Sequence, residues 1–400
     1  MRILYISQKD IDIKTGGISS DLINALIGAK HEVVICCADS KYEETRVCTD
    51  GIKKVEIKVP NQFGVNIIKK GLIILSLERV IKKAIKKYLS DEKFDLVLYA
   101  TPPITLANVV KYCKKKFGCK SYLMLKDIFP QNAVDLNMMS TGGITGILYR
   151  MFRIKEKKLY EYSDAIGCMS NANIEYLQKH NPYLKGKKIE LFPNAVAVKG
   201  KPERSKDKYG SLSAYGIKDE DVVFIYGGNL GKPQGLDFLE KALKNCADVK
   251  GVHFIIIGKG SEKDKLFKAL KDTDNVTTLE ALPKNEYDRL CALCDVGMIM
   301  LDKKFTIPNY PSRMLSYLEN AMPIFACTDK NTDVRQLVEE QARCGKWCYS
   351  DDMGAFRNSI EWFSENKDSL KALGENGYNY MAENFNVQDN VKRLENFINE

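Results

Sequence analysis

The sequence predicts an α/β protein of two domains, each a doubly wound parallel sheet covered by helices. First, its 400 residues exceed what one hydrophobic core usually holds and suit two domains of ordinary size. Second, short apolar runs alternate with segments of helical periodicity in both halves, which is typical of βαβ units. Third, a charged stretch with Gly and Ser, KGKPERSKDKYGSLSAYG at 199–216, separates the halves.

In the first half of the chain, each short apolar run bounded by polar residues predicts a strand. The segments between these runs have the spacing of amphipathic helices, as in SSDLINALIGAKH at 19–31. The predicted strands are Ile3–Ile6, Val33–Cys37, Leu96–Tyr99, Ser121–Leu125, Ala165–Met169 and Ile189–Phe192.

The second half repeats this plan. Its predicted strands are VVFIYGG, VHFIIIGKG, NVTTLEAL, VGMIML, PIFACT and WCYS. We therefore expect a first domain at 1–196, a linker at 197–218, a second domain at 219–380 and a C-terminal segment with a helix at 381–400. The apolar spacing of NVQDNVKRLENFINE leaves open whether this helix packs on the second domain or crosses back to the first.

Composition narrows the class of protein. Apolar residues make up 44% and charged residues 28% of the chain, so we expect a folded globular protein rather than a disordered one. No run approaches about twenty uninterrupted apolar residues, and the first residues read as a strand, so we expect neither a membrane span nor a signal peptide. These features predict a cytoplasmic protein.

Two further features of the composition bear on ligands. Residues 1–195 hold 32 Lys and Arg against 20 Asp and Glu, an excess that favours an anionic partner. Most of the twelve cysteines stand alone in apolar runs, as reduced buried thiols do. Cys291 and Cys294 have the spacing of zinc ligands, but no histidine accompanies them. We expect no metal.

Three glycine-containing turns, each between a predicted strand and a helix, are candidate phosphate sites. The first holds Gly16 and Gly17, and Ser19 or Ser20 is expected to cap the helix that follows. The second holds Gly228, followed by the polar residues Asn229, Lys232 and Gln234, and the third holds Gly258. Glycine-rich turns before helices bind phosphates, although structural turns share the pattern. Parallel sheets collect such turns at one edge, so we expect a ligand cleft between the domains.

The segment FTIPNYPSRMLSYLENAMPIFA at 305–326 predicts a helix start. Pro311 is expected in the first helical turn, with Asn309 or Tyr310 near the cap. Ser312 and Arg313 would then be exposed at the positive end of the helix dipole. A guanidinium donates two parallel hydrogen bonds to a phosphate, so Arg313 is a candidate diphosphate ligand.

Together these motifs resemble the family 4 glycosyltransferases, which have the GT-B fold of two facing Rossmann-like domains. The resemblance rests on the Gly-Gly turn, LKDIFPQNAVDL at 125–136, LFPNAV at 191–196, YGGNLGKPQGL at 226–236 and PSRMLSYLENAMP at 311–323. The branch it resembles most builds bacterial capsule and O-antigen, and includes N-acetylfucosaminyl transferases.

The resemblance implies retaining, metal-independent transfer of a HexNAc or deoxy-HexNAc from a nucleotide donor, UDP-linked in most members, to a lipid-linked saccharide. It places the nucleotide on the second domain and the acceptor on the first. Carried over by position, it sets Gly16 and Gly17 beside the donor diphosphate and Lys126 and Asp127 near the anomeric carbon. Further residues carried over are Asn229, Lys232 and Gln234 on the phosphates and Leu282 and Pro283 against the base.

The sequence departs from the family pattern at two acids. Many relatives have two glutamates eight positions apart, where this chain has Pro308 and Ser316. Ser316 lacks the two acceptor oxygens with which a carboxylate holds ribose hydroxyls. Glu319, about one helical turn further, is the substitute we expect. We expect Arg313 and Lys232 to stabilise the charge that develops on the leaving diphosphate, in place of a metal ion.

A membrane surface is a further expected partner. Residues 62–90 interleave lysines with Ile, Leu and Val at helical spacing, and 149–162 form a second basic run. This pattern is typical of an amphipathic helix on anionic lipid, but also of a core-facing helix with a solvated lysine face. The expected location is therefore the inner face of the cell membrane, as a peripheral protein.

A nucleotide-sugar epimerase or NAD-dependent oxidoreductase is the alternative function, since both use similar sheets. Against it, the first strand lacks a following G-x-G-x-x-G turn, and no Tyr-x-x-x-Lys pair lies in a suitable helix. Nucleic acid is not an expected partner, because no recognition motif is present.

Overall fold

The computed structural model describes residues 1–49, 51–61, 67–201 and 212–400. The chain forms two compact units, Met1–Ala197 with Asn386–Glu400, and Val198–Phe385. Each unit is a largely parallel sheet with helices between its strands. The predicted α/β fold with two Rossmann-like sheets is confirmed.

The described residues of the first unit form an eight-stranded sheet in the order β3-β4-β2-β1-β5-β6-β7-β8. All neighbours pair in parallel except β3, which is antiparallel to β4. The strands are β1 Arg2–Ser7, β2 Glu32–Asp39, β3 Arg46–Cys48, β4 Lys54–Lys58, β5 Leu96–Ala100, β6 Lys120–Leu125, β7 Ala165–Cys168 and β8 Lys188–Leu191.

The helices of this unit are α1 Ile18–Gly28, α2 Ile67–Tyr88, α3 Ala107–Phe117, α4 Gln131–Asp135, α5 Gly143–Tyr162 and α6 Asn171–His180. Helix α3 packs against both α2 and α5. The C-terminal helix packs against α1 instead. Right-handed crossovers explain this division, because connections that run in opposite directions along a sheet place their helices on opposite faces.

Strands β3 and β4 are absent from the strands predicted from the sequence. Strand β4 had a signal, since Val55, Ile57 and Val59 alternate with polar residues and are at most 5% exposed. Strand β3 is three residues long and pairs only with β4 at the edge of the sheet. Such a short edge strand has too few side chains to show a period.

The described residues of the second unit form a six-stranded parallel sheet in the order β11-β10-β9-β12-β13-β14. Its strands are β9 Val222–Asn229, β10 Val252–Lys259, β11 Val276–Glu280, β12 Val296–Met300, β13 Ile324–Thr328 and β14 Gly345–Tyr349. Its helices are α7 Leu236–Asn245, α8 Lys263–Leu270, α9 Lys284–Leu293, α10 Arg313–Glu319, α11 Met353–Glu365 and α12 Leu370–Asn384.

The last helix, α13, spans Val387–Asn399 and completes the core of the first unit. It begins at Val387 rather than near 381, because α12 continues to Asn384 and the Asn386 side chain caps the new helix at Gln388 N. Val387, Val391, Leu394 and Phe397 are at most 5% exposed within that core. Of the predicted linker at 197–218, residues 202–211 lie outside the described residues.

The membrane prediction for 62–90 falls largely on helix α2 and stays a prediction. Ile73, Leu77, Ile81 and Ile85 of α2 are core residues, at most 6% exposed, whereas Ile74, Leu75 and Val80 are half-buried. One apolar face of α2 therefore packs on the sheet, and Lys83, Lys86 and Lys87 are exposed. Residues 62–66 and the side chains of residues 67–72 lie outside the described part. Within the described residues no helix is long and apolar enough to cross a bilayer.

Candidate active site

Strand β9 ends in a glycine turn that lies against the end of β10. Gly228 pairs with Gly258 in the parallel register. A Cβ atom on Gly258 would lie 2.0 Å from the Gly228 carbonyl oxygen, far inside contact distance. Gly228 itself has φ 117°, a conformation that side-chain-bearing residues rarely adopt. Both glycines are therefore required by the backbone of this turn.

Arg313 lies beside this turn and is fixed by two side chains. Its guanidinium carbon is 4.5 Å from the centre of the Tyr226 ring, a cation–π contact. Its Nη2 donates a hydrogen bond of 2.9 Å to Gln234 Oε1. The guanidinium carbon is 3.9 Å from where a Cβ of Gly228 would be. Its Nη1 is buried and has no hydrogen-bond partner among the described residues.

The structure corrects the predicted helix start. Ser312, not Asn309 or Tyr310, is the N-cap, and Pro311 precedes it. Ser312 is exposed, as expected, but Arg313 is not, because its guanidinium turns inward onto Tyr226. Tyr310 packs its ring 6.3 Å from that of Phe385.

Gln234 is buried at this turn, whereas its neighbours Asn229 and Lys232 are exposed. Gln234 is 9% exposed, and its Oε1 accepts from Tyr226 Oη at 3.0 Å as well as from Arg313. This oxygen therefore orients Arg313 rather than facing a phosphate. Asn229 and Lys232 are exposed at the same turn, where an approaching anion would meet them.

The remaining candidates of the second unit lie at other points. Ser316 and Glu319 are both half-buried on α10, three positions apart and hence on one side of the helix. Leu282 is 37% exposed after β11. Pro283 is the N-cap of α9. An exposed leucine at a strand end suits contact with a flat ring.

The Gly-Gly turn of the first unit opens α1. Gly16 and Gly17 have φ of 71° and 120°, and Gly17 is the N-cap, without a side-chain cap. The prediction of a serine cap is wrong, because both serines lie inside the helix. Ser20 Oγ donates to the Gly17 carbonyl oxygen at 2.9 Å, and Ser19 Oγ accepts from Tyr5. The first helical N–H groups are thus left for other partners.

Asp127 follows β6 and is held from two sides. Its Oδ1 accepts from Asn132 Nδ2 at 2.8 Å. Thr101 Oγ1 accepts from Asp127 N at 3.2 Å and donates to Asp127 O at 3.0 Å. Burial raises the pKa of the Asp127 carboxyl to about 6, although the Asn132 hydrogen bond opposes the shift. Asp127 does not cap helix α4, which begins at Gln131 with Pro130 as its N-cap.

Lys126 adjoins Asp127 in the chain but lines a separate small cavity. Met124, Asn194 and Asn390 line it as well. Burial lowers the pKa of the Lys126 ammonium to about 8. Asn194 Oδ1 is buried, with no hydrogen-bond partner among the described residues. An ammonium whose pKa burial lowers and a buried amide oxygen thus line the same cavity.

Profiles of known families match most of the chain. The description "Glycosyltransferase Family 4" matches residues 19–199, and "Glycosyl transferases group 1" matches residues 211–380. The chain belongs to the family 4 glycosyltransferases. The epimerase or oxidoreductase alternative is not favoured, since both profiles describe glycosyl transfer.

Two curated relatives of this glycosyltransferase match over part of their length. WbjE of Pseudomonas aeruginosa, named a probable glycosyltransferase, is 24% identical over 248 residues. WcaI of Escherichia coli K12, whose name proposes a glycosyl transferase of colanic acid biosynthesis, is 20% identical over 260 residues. Each match covers 62% of this chain and 60% of the relative.

Solved structures share the fold of the whole glycosyltransferase. Sucrose-phosphate synthase of Thermosynechococcus elongatus has a TM-score of 0.75 at 14% identity, covering 99% of this chain and 98% of that one. HepE of Anabaena, solved with UDP and glucose, has a TM-score of 0.68 at 14% identity, covering 100% and 99%. At such identities the likeness shows the GT-B fold alone.

The candidate site residues of the glycosyltransferase thus form two groups, one in each unit. In the second unit Gly228, Gln234 and Arg313 lie close together, and Gly258 pairs with Gly228 on the neighbouring strand. Tyr226 and, in the first unit, Thr101 are not among the site residues predicted from the sequence. Tyr226 had one signal, since it is the last large side chain of an apolar run before the glycines.

Cysteines and acids form no metal centre in the described chain. No group of three or more His, Cys, Asp or Glu is arranged there to hold an ion. Cys291 and Cys294 are 1% and 2% exposed, and Cys294 Sγ donates to the Leu290 carbonyl oxygen. These two residues are buried thiols, as predicted.

Proposed function

We propose that this glycosyltransferase moves a HexNAc or deoxy-HexNAc from a UDP-linked donor to a lipid-linked saccharide, with retention of configuration. The product would be a repeat unit of capsule, O-antigen or a similar surface polysaccharide. The names of the curated relatives support this setting, because one of them refers to colanic acid biosynthesis. A cytoplasmic enzyme at the inner membrane surface fits a lipid-linked acceptor.

The observation that carries the proposal is the buried Nη1 of Arg313, which has no partner among the described residues. A buried donor without an acceptor costs about 1–3 kcal/mol, so its retention indicates a ligand. The guanidinium lies beside the Gly228 turn, where Asn229 and Lys232 are exposed to an approaching anion. A diphosphate there would complete the hydrogen bonding of Arg313, and Lys232 would add a second cation.

This arrangement suits departure of a nucleoside diphosphate. Negative charge grows on the leaving phosphate as the glycosidic bond breaks, so fixed donors stabilise the transition state more than the ground state. Asp127, ionised above about pH 6, would face the positive charge that develops at the anomeric carbon or orient the acceptor hydroxyl. We propose that Arg313 and Lys232 replace a metal ion in this step.

Substitution of Arg313 tests the proposal. Arg313→Ala should lower kcat/KM for UDP-sugar transfer by about 100-fold or more, which is about 2.7 kcal/mol of transition-state stabilisation. Arg313→Lys should recover only part of this, because an ammonium cannot donate two parallel hydrogen bonds. Arg289→Ala, a change at an exposed arginine on α9, is the matched control and should be neutral.

A screen of UDP-sugars, read by released UDP, would identify the donor. The same assay with EDTA should give unchanged turnover if no metal takes part. Turnover of Arg313→Ala within tenfold of wild type would contradict the proposed role of Arg313, and loss of activity in EDTA would contradict the metal-free mechanism.

A further inference from the structure

Helix α5 presents an apolar stripe to solvent. Ile147 is 69% and Ile154 is 56% exposed, the two highest values among the exposed large apolar side chains of the described residues. Positions seven apart on a helix point within about 20° of each other. These isoleucines therefore form one surface feature, unlike apolar side chains exposed singly, which are ordinary.

Cations flank this stripe. Arg150 lies three positions after Ile147, and Lys158 lies four positions after Ile154, so each adjoins an isoleucine on the helix surface. Both cations are exposed. We name the surface of Ile147, Arg150, Ile154 and Lys158 the α5 face.

The neighbouring helices extend the positive charge. Helix α5 is tied to α2 by Lys155 Nζ, which lies 3.0 Å from Glu78 Oε2. Glu78 Oε1 also accepts from Asn108 N of α3 at 2.6 Å. The three helices thus form one layer over the sheet. The layer adds further exposed lysines: Lys83, Lys86, Lys87, Lys111 and Lys115.

We propose that the α5 face is the surface by which this protein docks on an anionic membrane. Isoleucines on the solvent side of a helix can enter the boundary between headgroups and acyl chains, while arginine and lysine meet lipid phosphates. A second copy of the chain is a poorer occupant, because it would bring two positively charged layers together. The second basic run predicted at 149–162 lies on α5, and on this assignment α5 rather than α2 makes the membrane contact, since Ile73, Leu77, Ile81 and Ile85 of α2 are core residues.

Vesicle co-sedimentation of the full chain tests this assignment. Wild-type protein should sediment with vesicles rich in phosphatidylglycerol at low salt, and far less with phosphatidylcholine alone. Ile147→Glu/Ile154→Glu should reduce the partition coefficient by about tenfold or more, because it removes both apolar groups and adds repulsion. Arg150→Gln/Lys158→Gln should weaken binding and reduce its dependence on salt.

The matched control is Ile27→Glu/Val47→Glu. It makes the same change of charge at side chains that are 40% and 36% exposed, on α1 and on the edge strand β3. Binding of this variant within about twofold of wild type is expected. Thermal melting followed by circular dichroism checks that each variant is folded.

Three results would overturn the assignment. The first is no binding of wild type to anionic vesicles at low salt. The second is an equal loss of vesicle binding in Ile147→Glu/Ile154→Glu and in the control Ile27→Glu/Val47→Glu. The third is a wild-type dimer in solution that Ile147→Glu/Ile154→Glu dissociates, which would make the α5 face a contact between copies. Vesicle binding needs no sugar transfer, so its failure is distinguishable from failure of the proposed reaction.

Discussion

Arg313 owes its orientation to Tyr226 and Gln234, which are distant from it in the chain. The sequence predicts that Arg313 is a phosphate ligand, since it follows a proline-bounded loop at a helix start. The direction of its side chain depends on a ring 4.5 Å away and an amide oxygen 2.9 Å away. Local spacing predicts neither contact, because tertiary packing brings these residues together.

Asp127 should give the reaction an acidic limb in its pH profile. With a pKa of about 6, the carboxyl is protonated at pH 5 and ionised at pH 7, so kcat/KM should rise between these values if the carboxylate acts. Asp127→Asn should lose about 100-fold or more in kcat/KM at pH 7, and it should lack this limb. Asp12→Asn, at an exposed carboxylate, is the control. Persistence of the limb in Asp127→Asn would assign it to another group.

Lys126→Met should stabilise the protein at pH 7. Burial lowers the pKa of the ammonium from 10.5 to about 8, so the charged form is penalised in the folded state. This free-energy cost to the folded state has its full size below pH 8 and disappears by about pH 10.5. The free energy of unfolding should therefore rise by about 2 kcal/mol at neutral pH, and the gain should shrink as the pH rises. Urea unfolding at pH 7 and at about pH 10.5 measures this gain in the free energy of unfolding. Lys115→Met, at an exposed lysine, is the control.

At the scale of elements, the ends of β9 and β10 depend on two facing glycines. Gly258→Ala would place a Cβ atom 2.0 Å from the Gly228 carbonyl oxygen, and the backbone must move to relieve the contact. We expect a loss of about 1–3 kcal/mol in the free energy of unfolding and weaker UDP binding, measured by denaturation and calorimetry. Gly28→Ala meets no atom within 4 Å and should be tolerated. Unchanged stability in Gly258→Ala would mean that this turn adapts easily.

Helices α2 and α5 show what a pattern leaves open at this scale. Both sequences alternate cations with apolar residues at helical spacing, and both predict an amphipathic helix. The structure buries Ile73, Leu77, Ile81 and Ile85 of α2 in the core, whereas Ile147 and Ile154 of α5 face water. Which apolar residues are buried depends on the register of each helix against the sheet, and local spacing does not specify that register.

At the scale of the whole molecule, the last helix stabilises the first unit from the far end of the chain. A chain ending at Phe385 would lose four buried apolar side chains, Val387, Val391, Leu394 and Phe397. Each contributes about 1.5–3 kcal/mol, and a domain has only about 5–15 kcal/mol in total. Hydrogen exchange should show lost protection in residues 1–197. A chain ending at Asn399 loses only Glu400 and should keep it; equal protection in both would contradict this role of α13.

Local sequence patterns are enough to predict the two α/β sheets, apart from β3 and β4, and the glycine turns that end several of their strands. Apolar runs, helical periods and glycines are local signals, and local sterics and the burial of apolar surface suffice to produce these elements. Tertiary contacts place α13 in the first unit, turn Arg313 inward and leave Ile147 and Ile154 of α5 in water. Each of these depends on contacts between residues far apart in the chain.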